Sequence, residues 1–272
     1  MINKYPLKLT LSLIQKDEEF GHIFLNKLMG IPIKIDFARH QFNEEAPKIV
    51  SFLRFINNNY YDIITITNRL AWQKDLWINK KIDMGTWMNF AKLDVELFFM
   101  KVRSIFDYVA MVLCRVSDNK KVPKGDKRTS FNKLRNWLIN PNTGSDNAKI
   151  WDQELADLVI SANWFDEMKN IRDALSHQGG YVLVFPDQKK ILAQIYMSHK
   201  NQINIPEIMF NENVVDFELF AGLHFGYLTA FLENFAIIVE NKLPQNVREI
   251  NASPFSPFKK IPPIFEWAKK LL

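Results

Sequence analysis

Apolar residues at helical spacing dominate the chain from about residue 84 onward. Segment 87–116 contains neither Pro nor Gly, and its apolar residues recur at intervals of three and four. That period predicts one long amphipathic helix. Its predicted buried stripe shifts once along the helix and consists of Phe90, Leu93, Leu97 and Met100, followed by Ile105, Val109, Val112 and Val116.

Several further elements follow from the same pattern. A short helix is predicted from Ser130, as N-cap, to the residues before Pro141, and two more over about 147–161 and 163–177. Residues 181–197 have apolar runs on both sides of Pro186-Asp187, which predicts a β-hairpin. A last long helix is predicted over 214–241, capped by Asn213 and with His224 inside its apolar stripe, where a core histidine is expected.

The pattern is less regular in the first 83 residues. Apolar and polar residues alternate over 7–14, which predicts a strand that could join the hairpin. A helix is predicted over 16–30, ending at Gly30, and another near 44–57, while 58–83 receives no assignment. The Pro-rich tail after Pro244 is weakly amphipathic, and either packs on the body or holds a partner.

These elements predict a mainly α protein. Residues 84–243 are expected to form an antiparallel helical bundle with a β-hairpin insertion. Residues 1–83 form a small α+β N-terminal extension in this prediction, and residues 244–272 a Pro-rich C-terminal tail.

Composition excludes several classes of protein. The chain has 9 Gly and no Gly-rich phosphate loop or nucleophile elbow, and its five His and one Cys show no zinc-ligand spacing, so no cofactor or metal is expected. The single Cys114 excludes an internal disulfide and lies in an apolar run, which indicates a buried thiol in a reducing compartment. Neither a signal peptide nor an uninterrupted membrane-spanning run is present, so a cytoplasmic location is expected.

Positive charge is concentrated in one segment. The chain carries a net charge of +5, while segment 120–135 alone holds seven basic residues and one acid, so the rest is close to neutral. A clustered basic patch is what a phosphate backbone requires, although a solvated loop would have the same composition. The basic residues are Lys120, Lys121, Lys124, Lys127, Arg128, Lys133 and Arg135.

The end of the helix predicted over 163–177 carries the candidate chemistry. Arg172 and His177 differ by about 140° in direction and about 7.5 Å in height on an ideal helix, which does not favour a tight pair. Arg172 lies beside the core stripe, whereas His177 points away from it. A His side chain can transfer protons near neutral pH, and an Arg can bind phosphoryl oxygens. Because RNA carries its own 2′-hydroxyl nucleophile, these two groups could suffice for cleavage.

The segment RDALSH (172–177) resembles the R-x4-6-H motif of the HEPN superfamily, whose Arg is commonly followed by a polar residue, here Asp173. The order of a long apolar helix, a polar segment and a helix carrying the motif is also similar to that of HEPN bundles. The resemblance covers about residues 84–243 and leaves the first 80 residues and the tail unexplained.

The resemblance implies a metal-independent endoribonuclease that cleaves single-stranded RNA at a composite site between two protomers. His177 would transfer protons, Arg172 would bind the scissile phosphate, and Asp173 would orient one of them. The basic residues of 120–135 would guide the RNA backbone. A toxin or phage-defence role, with an antitoxin or regulatory protein as a further candidate partner, is implied in the same way.

Two other interpretations remain open from the sequence. Arg172 could pair with an acid such as Asp107 or Asp166, while His177 interacts with the carbonyl end of its helix. HEPN-like domains also include non-catalytic modules, so the bundle could serve only for dimerisation or for binding nucleic acid or protein.

Overall fold

The computed structural model describes residues 2–17, 21–23, 25–117, 129–196, 203, 205–211, 214–250 and 260–272. Over these residues the protein is mainly helical and includes a small four-stranded antiparallel sheet, which confirms the predicted mainly α class. The helices are α1 (Tyr5–Ser12), α2 (Asn26–Phe37), α3 (Arg39–Phe42), α4 (Ala46–Ile78), α5 (Met84–Val116), α6 (Phe131–Leu138), α7 (Gly144–Trp151), α8 (Gln153–Ser161), α9 (Phe165–His177), α10 (Phe217–Asn241), α11 (Gln245–Arg248) and α12 (Pro263–Lys269). The strands are β1 (Gln15–Asp17), β2 (Gly21–Ile23), β3 (Tyr181–Phe185), β4 (Leu192–Tyr196), β5 (Met209–Asn211) and β6 (Val214–Asp216).

The strand predicted over 7–14 is wrong, because these residues belong mostly to helix α1. Leu7 and Thr10, three residues apart, are both fully buried against α10. The Thr10 hydroxyl lies 2.9 Å from the Gly226 carbonyl oxygen, and a Cβ at Gly226 would approach a Leu7 methyl group to 2.5 Å. This close approach to a neighbouring helix overrides the local alternation of apolar residues.

The helix predicted over 16–30 is also placed differently. Residues 15–23 supply the two antiparallel strands β1 and β2, and α2 then continues past Gly30 and through Pro32 to Phe37. Leu28, Ile31 and Ile35 are fully buried at helical spacing. Their burial explains why the helix persists despite residues that disfavour it locally.

Helices α4 and α5, of 33 residues each, form the main antiparallel pair. Residues 58–78, left without assignment from the sequence, continue α4. Three salt bridges connect the pair along its length. Glu45 contacts Arg115, Asp62 contacts Lys101, and Arg69 contacts the buried Asp94. The predicted long helix is confirmed as α5, and Cys114 is buried within it.

The first half of the predicted α5 stripe is wrong. Phe90, Leu93 and Leu97 are 49%, 55% and 40% exposed, and Met100 is half-buried. The covered side of this half of α5 carries a different set of residues, so these side chains are turned outward. We call Phe90, Leu93 and Leu97 the α5 apolar stripe. The buried residues in this half are Trp87, Ala91, Val95, Phe98, Phe99 and Val102.

The predicted hairpin is confirmed as β3 and β4, and its turn is stabilised by the Asp187 carboxylate, which accepts hydrogen bonds from the Lys189 and Lys190 amides. The sheet has the order β3-β4-β6-β5. The expectation that an N-terminal strand joins it is wrong, since β1 and β2 pair only with each other.

The shorter helices differ from prediction at their ends. Ser130 precedes α6, but the Phe131 amide donates to the Asp107 carboxylate at 3.0 Å, so the cap comes from α5. The single helix predicted over 147–161 is two, α7 and α8, separated by Asp152, whose carboxylate accepts from the Leu155 amide. The helix predicted over 163–177 is confirmed as α9.

Helix α10 runs through the core. It begins after Asp216, whose carboxylate accepts from the Leu219 amide, because residues 214–216 form strand β6. The predicted cap Asn213 lies outside the described residues. Among those described, α10 alone is long and apolar enough to cross a membrane, yet 78% of its most apolar window is buried inside the protein, as in the central helix of a soluble protein.

The C-terminal helix α12 packs on the body. A Cβ at Gly222 of α10 would lie 2.5 Å from the Ala268 nitrogen, so the two backbones meet closely. One hydrophobic cluster contains buried residues from all three segments proposed from the sequence, among them Leu53, Phe106 and Phe265. The division into 1–83, 84–243 and 244–272 stays a prediction about folding units.

Candidate functional site

Helix α9 places the Arg-His motif where a helix meets a sheet. The helix ends at His177, and Gly179 then adopts a positive φ of 68° that favours glycine. The Gly180 amide donates to the Ala174 carbonyl, and a Cβ at Gly180 would lie 2.7 Å from the Tyr196 carbonyl oxygen. The two glycines therefore let the chain turn directly into β3 and leave His177 at the protein surface.

The motif side chains contact one another. Arg172 Nη1 donates to Asp173 Oδ1 at 2.7 Å and lies 3.4 Å from His177 Nε2. This distance corrects the expectation from ideal helix geometry that the pair would stay apart, because the long Arg side chain reaches across the last turn. His177 is exposed, as expected, while the Arg172 and Asp173 side chains keep 27% and 26% exposure.

The contact involves one nitrogen of the imidazole. A guanidinium can only donate, so in a hydrogen bond with Arg172 the His177 Nε2 is the acceptor. At 3.4 Å the hydrogen bond is long, and a phosphoryl oxygen could replace it on Arg172. The arrangement can therefore present a cation and a free imidazole nitrogen to one ligand.

Lys169 belongs to the same group and was missed from the sequence. Its Nζ lies 3.2 Å from Asp173 Oδ2, so the carboxylate is shared by two cations. The i,i+4 spacing of Lys169 and Asp173 was the available signal. With Arg172, Asp173 and His177, Lys169 completes what we call the α9 polar group.

Neither ion pair considered as an alternative forms. Asp107 is bound to Arg103 at 2.5 Å, and Asp166 is bound to Arg135 at 2.7 Å. Arg172 is thus held by its neighbour Asp173 and not by a distant structural acid.

The described part of the basic segment contributes little to this surface. Arg135 is 6% exposed and its guanidinium joins α6 to α9 through Asp166, which makes it a structural residue in this conformation. Lys133 is exposed on α6. The other predicted RNA-binding residues, Lys120, Lys121, Lys124, Lys127 and Arg128, lie outside the described residues.

Apolar side chains adjoin the polar group on two sides. The Ser176 hydroxyl lies 3.5 Å from Met100 Sδ, and the α5 apolar stripe continues along α5 from Met100. On the other side β3 follows the motif directly and exposes Tyr181 and Leu183, with Tyr181 stacked on Tyr196 at 4.4 Å. The α9 polar group is therefore flanked on two sides by exposed apolar surface.

His224 is the satisfied core histidine expected from the sequence. It is 1% exposed, its Nδ1 lies 2.9 Å from the Phe220 carbonyl oxygen, and its Nε2 lies 3.0 Å from Glu167 Oε2. The pair is separate from the α9 polar group, although Glu167 is also on α9.

Comparison with known proteins assigns no family. No protein-family model matches the chain, and no curated protein or solved structure is significantly similar to it. Within the described residues, no cluster of three or more His, Cys, Asp or Glu side chains is arranged to hold a metal ion.

Proposed function

We propose that the protein is a HEPN-type, metal-independent endoribonuclease that cleaves single-stranded RNA at a composite Arg172/His177 site between two copies of the chain. The observation that carries the proposal is the contact of an exposed His177 with Arg172, itself held by Asp173, at the end of a helix.

The residues match the steps of the reaction. The RNA 2′-oxygen attacks phosphorus, forming the 2′-O–P bond, while the P–O5′ bond breaks to leave a 2′,3′-cyclic phosphate and a 5′-hydroxyl. One copy of His177 accepts the 2′-hydroxyl proton at Nε2, and the second copy, protonated, donates to the leaving 5′-oxygen. Arg172 binds the non-bridging oxygens and stabilises the charge that develops on them.

Asp173 and Lys169 act through Arg172. The Asp173 carboxylate holds Nη1 at 2.7 Å and so limits the orientations of the guanidinium before RNA binds. Lys169 neutralises the second oxygen of that carboxylate at 3.2 Å, which reduces its repulsion of an incoming phosphate. Asp173 is therefore a positioning residue in this proposal.

The exposed apolar surface supports a second protomer. Phe90, Leu93 and Leu97 recur at helical spacing on an outward face, and such stripes bury well against a copy of themselves. Met100 connects that stripe to the motif helix through Ser176. A dimer formed there would bring two α9 polar groups toward one RNA strand.

The cellular setting is part of the same proposal. A cytoplasmic RNA-cleaving protein of this type would act as a toxin or phage-defence effector, and its activity would be held in check by an antitoxin or regulatory protein. The basic residues of segment 120–135 other than the buried Arg135 would attract the RNA backbone, so binding should weaken steeply with salt.

The proposal is tested with labelled single-stranded RNA in excess EDTA. The wild type should release products with 2′,3′-cyclic phosphate ends, whereas Arg172→Ala and His177→Ala should lose at least about a hundredfold in rate. His40→Ala and Arg54→Ala, which remove exposed residues of the same types elsewhere, should cleave normally. Equal cleavage by His177→Ala and His40→Ala would overturn the assignment.

The exposed apolar surface equally favours a second function, a non-catalytic module that dimerises or holds a partner. Leu93→Lys separates the two, with Ile139→Lys as the control because Ile139 is an exposed apolar residue outside the stripe. Under the nuclease proposal Leu93→Lys loses both the dimer in analytical ultracentrifugation and RNA cleavage. A wild type that dimerises through Leu93 and cuts no RNA supports the module.

A further inference from the structure

A cleft of about 480 Å³ lies between the N-terminus, the start of α9 and the middle of α10. This volume is in the range of small-molecule sites. We call it the His224 cleft. The residues used below are Asn3, Trp164, Glu167, Glu207, His224, Tyr227 and Asn234, all of which line it.

One acid in the cleft is held by a buried histidine. Nδ1 of His224 faces the Phe220 carbonyl oxygen at 2.9 Å, and Nε2 faces Glu167 Oε2 at 3.0 Å. The ring is 1% exposed and cannot reorient, so the Glu167 carboxylate is fixed at the wall of the cleft. The Glu167 side chain keeps 27% exposure and can accept a further hydrogen bond.

The charge of the lining disfavours an anion. Glu167 faces the cleft, and among the described lining residues there is no Lys or Arg, while the second carboxylate, Glu207, already accepts from the Ile2 amide at 3.3 Å. A bound phosphate or carboxylate would meet the like charge of Glu167. An organic cation would meet the Glu167 carboxylate and the amides of Asn3 and Asn234 instead.

Aromatic rings form another part of the cleft wall. Trp164 and Tyr227 are both half-buried, with ring centroids 5.8 Å apart, and His224 lies within 6.3 Å of each. Aromatic faces attract cations and stack on flat groups, and the combination of rings with carboxylates is what recognises ammonium and amidinium ligands.

We propose that the His224 cleft binds a small organic cation, with a flat or quaternary head against Trp164 and Tyr227 and its charge toward Glu167. The inference does not depend on RNA cleavage. The cleft lies at the first turn of α9, and ten residues separate Glu167 from His177, about 15 Å along the helix. It is therefore a site distinct from the α9 polar group.

The test uses three compounds of nearly one shape. Benzamidine is a cation, benzamide is neutral and benzoate is an anion. Saturation-transfer NMR and isothermal titration on the full chain should show benzamidine binding, weaker benzamide binding and no benzoate binding. Benzoate binding as tightly as benzamidine, or no benzamidine binding up to about 10 mM, overturns the proposal.

Three variants test whether benzamidine binds in the His224 cleft. Glu167→Gln keeps the side-chain shape and should weaken benzamidine by about tenfold, the size of one charge-assisted hydrogen bond. Asn234→Trp fills the cleft from its exposed rim and should abolish binding while leaving the core intact. Glu249→Gln removes an exposed carboxylate outside the cleft and should bind as the wild type does. Unchanged binding in both Glu167→Gln and Asn234→Trp would refute the location.

Discussion

Two histidine-containing groups lie at the two ends of helix α9, and they differ in the exposure of the histidine and in the charge of its partner. At the C-terminal end His177 is exposed and contacts a cation, Arg172, through a long hydrogen bond. At the N-terminal end Glu167 contacts His224, which is buried between two oxygen acceptors. The comparison teaches that one histidine is free to exchange its partner for a ligand, whereas the other is fixed and orients its neighbour.

The largest expected effect is on RNA cleavage at the exposed end. His177→Ala should lower the cleavage rate by at least about a hundredfold and leave the melting temperature nearly unchanged, because the side chain is off the core. Cleavage rates and melting curves measured on the same preparation check both expectations. Unfolding of this variant would mean that His177 is structural and that the comparison fails at this end.

The opposite outcome is expected for the buried histidine. His224→Ala should destabilise the protein by about 3 kcal/mol, because it leaves a cavity and an unpaired Glu167 carboxylate. Denaturant unfolding measures the change, with His40→Ala as an exposed control. A loss below about 0.5 kcal/mol would show that the buried pair contributes little to the fold.

A smaller effect is expected from the carboxylate that positions Arg172. Asp173→Asn should reduce cleavage by about tenfold, because a neutral amide holds the guanidinium less firmly than a carboxylate does. RNA binding should change less than the rate. If Asp173→Asn cleaves as fast as the wild type, Arg172 does not need this support.

The smallest effect is expected from a buried acid that, unlike Glu167, has no histidine partner among the described residues. Glu233 on α10 is 8% exposed, and its Oε2 has no hydrogen-bond partner among the described residues. Burial raises the pKa of this carboxyl above its ordinary value of 4.5. Glu233→Gln should therefore stabilise the protein near neutral pH by about 1 kcal/mol.

The sign of that effect depends on pH. A raised pKa means that the folded state binds the proton more tightly, so the wild type loses stability as pH rises from about 4.5 through the folded pKa. The Gln variant has no such loss. Melting temperatures at pH 4, 5.5 and 7 should show the gain growing with pH, and a gain that is constant or reversed would contradict the assignment.

Some parts of the fold could be predicted because local and tertiary preferences agree. Segment 87–116 of helix α5 has no Pro or Gly, and the β3-β4 hairpin has apolar runs on both sides of a turn that Asp187 stabilises, so both appear where the pattern indicates. The motif residues at the end of α9 were proposed from the resemblance of RDALSH to the HEPN motif, and their role in catalysis stays a prediction. Lys169 was missed because a charged residue at i,i+4 is common on any solvated helix.

Other parts depended on neighbours distant in sequence. Residues 7–14 alternate like a strand but form a helix, because Gly226 offers α1 a close approach from more than 200 residues away. The α5 apolar stripe was expected to be buried, yet the covered side of this half of α5 carries Trp87, Val95 and Phe98 instead. Periodicity gives the width of an apolar face, and the partner helix decides which part of it is covered.

The sequence by itself determined the helical class and the hairpin, since these rest on period and turn chemistry along the chain. Only the tertiary structure decided that Arg172 contacts Asp173 and His177, that Arg135 is buried against Asp166, and that Glu167 and His224 share a cleft. Those contacts join side chains across turns and between helices, and their formation depends on packing that no local pattern encodes.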